Sequence, residues 1–535
     1  MNKNLLKENR TIKNILSNKE NILFFIIILF AILIRVVNWP NGIRDINCDE
    51  AMMAVNAKSI AQTGKDIYGT KLPIYFEGWL VGGQSAIPTY LVSIAIGILG
   101  CNLLAVRLPI LIISIISIII IYLLSKEIFN KKIAIIVLLL TAINPWHIMQ
   151  SQWNLDCNMF PHIFLIAIYL LCSGIKTNNK IKLYSSMIMF GISMYTYGIS
   201  IFFVPLFLLV IGIALIIKKK ISIKELLISS AIYILISIPI LTMYIINYLK
   251  LDTIEVFGIT IQRFYYSVRN EDMLIFSNNV FEQFKTNIIS TIETIVLQND
   301  DLIWNTIKGY GTVYIFSIPF IAIGIADLTN KKNKYKYGLI VLVWFVVAFF
   351  VGVMINTINV NRVNIIWYPM IILNGYGIYS IWKFLHSKKI ILGIIIGIYI
   401  IVFTMFIINY YNKYQKEISN SYTFSKGFID VVKYIEKNES DKKIVVSKDI
   451  DGVDNYIYLL YLTDGEKVSR EILIDYYMER HENHNERIIL ENFDNERQID
   501  SDIYIIKNEQ RDKIVNLDEY VQHRFGCYLI LSKIN

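Results

Sequence analysis

The sequence predicts an all-α polytopic membrane protein, with about eleven transmembrane helices and a small α/β domain at its C-terminal end. Three observations carry that expectation. First, 55% of the residues are hydrophobic and only 18% are charged, against about 25% charged in a soluble globular chain. Second, the apolar residues come in blocks. Ile22–Ile34, Leu103–Leu124 and Ile390–Ile408 hold almost no charge, and about 20 apolar residues suffice to cross the hydrocarbon core as a helix. Third, the texture changes near Tyr411, after which short strand-like runs replace the long apolar blocks.

Taken in order, the tail 1–20 carries Lys3, Lys7, Arg10, Lys13 and Lys19, which places it on the cytoplasmic side. The first apolar run, near 21–38, lacks a cleavage pattern and reads as a retained anchor. The next stretch holds Arg44, Asp45, Asp49, Glu50, Lys65, Asp66, Lys71 and Glu77, too many charges for lipid. The apolar piece Ile87–Leu99 is short for a span and starts near Pro88, so it reads as an interfacial helix on the outer side. With that piece not crossing, the basic clusters at 126–132, 176–182, 218–224, 331–336 and 383–389 all fall inside. The expected spans are then 21–38, 103–124, 133–149, 159–175, 183–198, 200–217, 225–247, 309–327, 338–356, 364–383 and 390–410. Together, 21–410 form one transmembrane module, with a first outer loop at 39–102 and a large outer loop at 248–308. The C-terminus emerges outside.

The segment 411–535 carries 24 acidic against 18 basic residues, the reverse of the membrane part. Gly427–Lys437 has helical spacing. The runs Lys443-Ile-Val-Val-Ser, Asp502-Ile-Tyr-Ile-Ile and Cys527-Tyr-Leu-Ile-Leu read as strands, giving an extracytoplasmic α/β domain. The net charge of +9 resides in cytoplasmic loops and is no nucleic-acid signature. The five cysteines show no CxxC and no metal spacing. Cys48 and Cys157 both fall on the outer side and could pair, but scattered free thiols are the favoured reading.

Candidate chemistry gathers on the outer face. In Arg44-Asp-Ile-Asn-Cys-Asp49-Glu50-Ala51, Asp49 opens a helical pattern that Gly64 can end. It reads as an N-cap and, compatibly, as a general base at the membrane surface. Glu77 precedes Gly82-Gly83 and reads as an exposed loop glutamate or as a site residue. Arg107 begins the second span, where it can snorkel to the interface. Arg362 lies in Asn359-Val-Asn361-Arg362-Val-Asn364, another outer turn. Two arginines on the same face as a carboxylate pair suit a phosphorylated substrate, because guanidinium presents a rigid fork of donors. Asn144-Pro-Trp-His147 and Ser151–Asp156 read as an aromatic interface belt.

In order and spacing, these features resemble the membrane glycosyltransferases of the GT-C class. The likeness is to glycosyltransferase family 39, the branch holding protein O-mannosyltransferases and the lipid A aminoarabinose transferase. It covers most of 20–410. It rests on Asp49-Glu50 after the first span, Thr63-Gly64, Glu77 before Pro88-Thr-Tyr90-Leu, Arg107-Leu108-Pro109, Asn144-Pro-Trp-His147, Tyr195-Thr-Tyr-Gly198 and Asn361-Arg362.

The resemblance implies a GT-C-like fold and inverting transfer of a sugar from a polyprenyl phosphate to an extracytoplasmic acceptor, protein or envelope glycan. Asp49 would be the catalytic base, with Glu50 beside it. Glu77 would shape the site. Arg107, Arg362 and Asn361 would bind substrate, the arginines at the lipid phosphate. In some relatives the glutamates meet a divalent metal; no cofactor is otherwise expected. Gly78-Trp-Leu-Val81 replaces the Lys-Pro-Pro of the aminoarabinose transferases, which leaves metal and sugar open. The competing expectations are an envelope-lipid transporter or flippase, which would need ionisable residues near the midplane, and a glycan polymerase or ligase.

Overall fold

A computed structural model describes residues 19–43, 46–78, 81–264, 273–300, 302–419, 424, 427–438, 442–447 and 488–534. The basic tail residues Lys3 to Lys13, together with Arg44 and Asp45, lie outside the described residues. Each expected span contains a helix. Among the described residues six helices are long and apolar enough to cross a membrane: Leu103–Ile128, Asp156–Lys176, Ser200–Ile217, Ile223–Leu249, Lys336–Val353 and Lys389–Ile418. Length and composition therefore support six crossings directly, fewer than the count read from charge alternation. The helix Lys19–Val36 carries Lys19, Glu20 and Arg35, and other helices are broken or short.

The breaks have local causes. In 133–149 the helix Lys131–Ala142 stops, and a separate helix Pro145–Gln150 follows. Proline lacks the N–H that would continue the first helix, and Asn144 caps the second by accepting from His147 N at 3.0 Å. In 309–327 the helix begins only at Ile318, because Gly309 and Gly311 sit at positive φ, a region glycine enters freely. The segment Ala86–Leu99 is a 14-residue helix, too short to span, in keeping with the interfacial reading. The last helix, Lys389–Asn409, continues through Tyr410–Tyr414 into Gln415–Ser419. Tyr414, Ile418 and Phe424 pack in the helical core.

The C-terminal region is a five-stranded mixed sheet. β1 (Tyr75–Gly78) pairs with β2 (Val81–Ser85) within 39–102, and β3 (Ile254–Val256) with β4 (Ile259–Ile261) within 248–308. The sheet comprises β5 (Ile444–Ser447), β6 (Ile488–Glu491), β7 (Ile503–Lys507), β8 (Tyr520–Phe525) and β9 (Tyr528–Lys533), in the order β6-β5-β7-β9-β8. β5 runs parallel to both neighbours, whereas β9 is antiparallel to β7 and β8. The helix Phe428–Asn438 packs on it. The expected strands at 443, 502 and 527 are β5, β7 and β9.

Side chains alternate across a strand, and here both faces are buried. Val445, Tyr504, Ile506 and Leu531 join Phe493 and Ile499 in a core of the domain's own. Ile444, Val446, Ile503, Ile505 and Ile530 share one core with Val431 and Ile435. That core extends to Ala51, Met52 and Val55 of the first-loop helix and to Val92 and Ile96. The sheet is thus bound to the first-loop helix and to Ala86–Leu99. Truncating Ile505, which is fully buried, to alanine should cost about 2–5 kcal/mol. Hydrogen exchange should then speed up in 48–63 as well as in the sheet; exchange confined to the sheet would contradict the shared core.

Candidate active site

The first-loop helix Cys48–Thr63 begins with a capping box. Asn47, not Asp49, is the cap. Its side chain accepts from Asp49 N at 2.9 Å, and Glu50 reaches back to accept from Asn47 N at 3.2 Å, the reciprocal pattern of helix starts. Consecutive residues on a helix point about 100° apart, so the two acids part company. Asp49 lines a cavity of about 460 Å³, while Glu50 is fully buried in the protein.

There Glu50 meets Arg107, also fully buried. Arg107 donates from Nε to Glu50 Oε1 at 2.9 Å and from Nη2 to Oε2 at 2.7 Å. Its Nη1 donates to Pro40 O and Ile43 O at 2.7 and 2.6 Å. Asn154 N donates to Glu50 Oε1 at 2.7 Å. Arg107 therefore neither snorkels to the interface nor lines the cavity; its partner is a carboxylate rather than a lipid phosphate. Glu50 likewise has no open face toward substrate. A divalent cation does not fit there, because a guanidinium and two backbone N–H groups already take both carboxylate oxygens. Among the described residues no trio of His, Cys, Asp or Glu is arranged for a metal ion.

Glu77 is fully buried in β1, not an exposed loop residue, and it is not part of the cavity lining. The hairpin it belongs to is tight. A Cβ on Gly83 would stand 2.2 Å from Phe76 O, so the approach requires glycine. The hairpin then bridges two acids. Gln84 Nε2 donates to Asp49 O at 2.7 Å. Ser85 Oγ donates to Asp156 Oδ2 at 3.2 Å, with Ser85 N at 3.4 Å.

Asp156 was not singled out from the sequence, yet it lines the same cavity as Asp49. Its Oδ1 accepts from Cys157 N at 2.7 Å at the start of the helix Asp156–Lys176. The only signal was an acid in the polar run Ser151–Asp156, which an aromatic belt accounts for equally well.

The asparagine-rich turn also lines the cavity, through Asn359, Asn361 and Arg362. Asn359 Oδ1 accepts from Arg362 N at 3.0 Å, and Arg362 Nη1 donates to Thr357 Oγ1. Asn364 pins the turn: it accepts from Trp146 Nε1 at 2.5 Å and donates to Cys157 O at 3.0 Å. Asp300 Oδ2 accepts from Val360 N at 2.6 Å, which joins the turn to the long loop 248–308. Tyr75, Tyr197, Tyr244, Trp153 and Trp304 complete the wall. Cys48 and Cys157 also line it, and among the described residues no disulfide forms.

Three comparisons bear on this geometry. Residues 84–244 match the family model described as dolichyl-phosphate-mannose-protein mannosyltransferase. ArnT from Cupriavidus metallidurans in the apo state superposes with a TM-score of 0.58 at 10% identity, over 96% of this chain and 98% of that one. The chain has the fold of the GT-C membrane glycosyltransferases. ArnT bound to undecaprenyl phosphate gives a TM-score of 0.57, again at 10% identity and with the same coverage. The Archaeoglobus fulgidus oligosaccharyltransferase in the apo form gives 0.51 at 12% identity over 83% of this chain, which spans 64% of that enzyme. No curated protein matches by sequence. The family match includes Arg107 and Asp156 and stops short of Asp49, Asn361 and Arg362.

Two tests follow. Arg107→Ala strands Glu50 as a buried charge and should cost about 3–5 kcal/mol. The double variant Glu50→Gln/Arg107→Met should lose less than the sum of the singles, read from thermal unfolding in detergent. Asp66, in the loop after the first-loop helix, accepts from Tyr68 N and Thr70 N at 3.0 and 2.7 Å. Burial nevertheless pushes its carboxyl up to about 6. Its folded pKa exceeds its unfolded one, so this contribution is full below about pH 4 and is lost as the pH rises through 6. Asp66→Asn should therefore flatten the fall in melting temperature between pH 4 and 6; an unchanged slope would exclude Asp66 as its source.

Proposed function

We propose that this chain transfers a sugar from a polyprenyl-phosphate-linked donor to an extracytoplasmic acceptor, with inversion at the anomeric carbon and Asp49 as the general base. One observation carries the reading. Asp49, Asp156, Asn361 and Arg362 line a single cavity together with Tyr75, Tyr197, Tyr244, Trp153 and Trp304. Inverting transfer needs a base on one face of the anomeric carbon and a stabilised leaving group on the other. Arg362 and Asn361 suit the departing phosphate, because a fixed guanidinium stabilises developing negative charge. The aromatic side chains offer flat faces to a sugar ring and to the first units of a prenyl chain.

Of the two aspartates, Asp156 has both oxygens engaged by Cys157 N and by Ser85. In this reading Asp156, held by those bonds, orients the acceptor, and Asp49 removes its proton, as the resemblance implies for the first-loop aspartate. Glu50 and Arg107 are positioning residues in this account, holding the first loop in place, and Glu77 supports the hairpin from within. The family match and the ArnT likeness support a lipid-phosphate donor. In this reading the N-terminus is cytoplasmic, and both the cavity and the C-terminal domain are outside. The acceptor is a hydroxyl-bearing protein, envelope glycan or lipid.

A transporter remains the competing reading, and turnover separates the two. Protein in proteoliposomes should release free polyprenyl phosphate from a sugar-linked donor only when acceptor is present. Asp49→Asn should cut that release by about 10²–10⁴-fold while leaving donor binding intact. Arg362→Ala should weaken both. Donor that changes leaflet without losing its sugar, equally in wild type and Asp49→Asn, would favour transport.

A further inference from the structure

The large outer loop contains a helix whose exposure is inverted. In Val280–Ile292, Phe281, Phe284, Ile288 and Ile292 recur at helical spacing and share a face. Phe281 is 67% exposed and Ile289 58%, whereas Asn287 and Thr291 are buried. A helix resting on a protein surface in water turns its apolar stripe inward; this one turns asparagine and threonine inward. Asn287 Nδ2 donates to Val353 O at 2.9 Å and to Asn356 Oδ1 at 3.3 Å, and Gln283 Nε2 donates to Asn287 Oδ1 at 2.8 Å. The apolar face continues from exposed Ile275 and Phe276 before the helix. It also meets the span Lys336–Val353, whose Val346 and Phe350 are exposed.

The medium that covers Val346 and Phe350 on a spanning helix is lipid. On the same face, between Phe281 and Ile289, Lys285 pairs with Glu282 at 3.0 Å and lies 4.5 Å above the Phe281 ring. A charged head held beside an aromatic body is the pattern of residues at a membrane interface.

We propose that Val280–Ile292 is seated in the hydrocarbon boundary of the leaflet on the cavity side, as an anchor that sets the depth of the asparagine-rich turn in the bilayer. The link is direct. Asn287 holds Val353 and Asn356, Leu274 N donates to Met354 O at 3.0 Å, and Asn356 Nδ2 donates to Ser277 Oγ at 2.9 Å. The same short segment carries Ile355, which lines the cavity, and leads into Thr357 and Arg362. The proposal rests on the membrane placement and not on sugar transfer, so the two can fail separately.

The test uses full-length protein in phosphatidylcholine vesicles whose acyl chains carry a photoreactive diazirine. After illumination, adducts mapped by mass spectrometry should fall on Phe281, Phe284, Ile289 and Ile292. Their yield should be within about threefold of that on Leu235 and Ile398 in spans, and Asn287 and Thr291 should stay unmodified. Labelled spans with an unlabelled 280–292 would overturn the proposal. So would cross-links between two copies through this face, which would make it a dimer contact. Asn287→Ala should keep the adduct pattern and raise deuterium uptake across 353–362 at least twofold; unchanged uptake would remove the link to the turn.

Discussion

The site depends on the pairing of Glu50 with Arg107. Two fully buried charges are costly to desolvate, and their attraction repays this only where geometry is good and the remaining polar atoms are bonded. Both conditions hold. The guanidinium grips the carboxylate through two nitrogens and gives its other contacts to Pro40 O and Ile43 O. The carboxylate also receives Asn154 N and Asn47 N. Four segments are thereby fixed at one point: the exit of the first helix, the cap of the first-loop helix, the start of the second span and the approach to Asp156. Asp49 projects into the cavity because its neighbour projects the other way.

From that point the cavity is assembled by cross-links between segments distant in sequence. The hairpin β1–β2 touches Asp49 O through Gln84 and Asp156 through Ser85, which sets the spacing of the acids. Asn364 ties the turn bearing Asn361 and Arg362 to Cys157, next to Asp156, and to Trp146. The C-terminal sheet backs the first-loop helix, sharing its core, and among the described residues none of the cavity lining comes from beyond Arg362.

What was legible in the sequence followed from local physics. Hydropathy found the helices, and a 13-residue apolar run with Pro88 marked a helix too short to cross. Alternating Ile and Val runs marked β5, β7 and β9. Asp49, Asn361 and Arg362 were legible because polar residues crowded at the ends of apolar blocks need water or a partner. What stayed hidden was pairing. Nothing local distinguishes an arginine that snorkels from one that reaches 57 positions back to a glutamate, so Arg107 was read as facing substrate. Glu77 looked like a loop residue because the Gly82-Gly83 fold that buries it is tertiary. Asp156 was masked by the tryptophans around it. Charge alternation counts segments, while unbroken helix length depends on Pro145, Gly309 and Gly311, so among the described residues six long apolar helices stand where eleven spans are expected.

The account makes this chain the consumer of one lipid-linked sugar, and the most direct test is the lipid itself. Polyprenyl-phosphate lipids would be quantified by mass spectrometry from cells that possess the protein, cells that lack it, and cells that carry only the Asp49→Asn form. The account predicts that one sugar-linked polyprenyl phosphate accumulates without the protein and accumulates equally with the variant, which would also name the donor. An unchanged lipid pool in cells verified to express the wild-type protein, or full clearance by the variant, would contradict it.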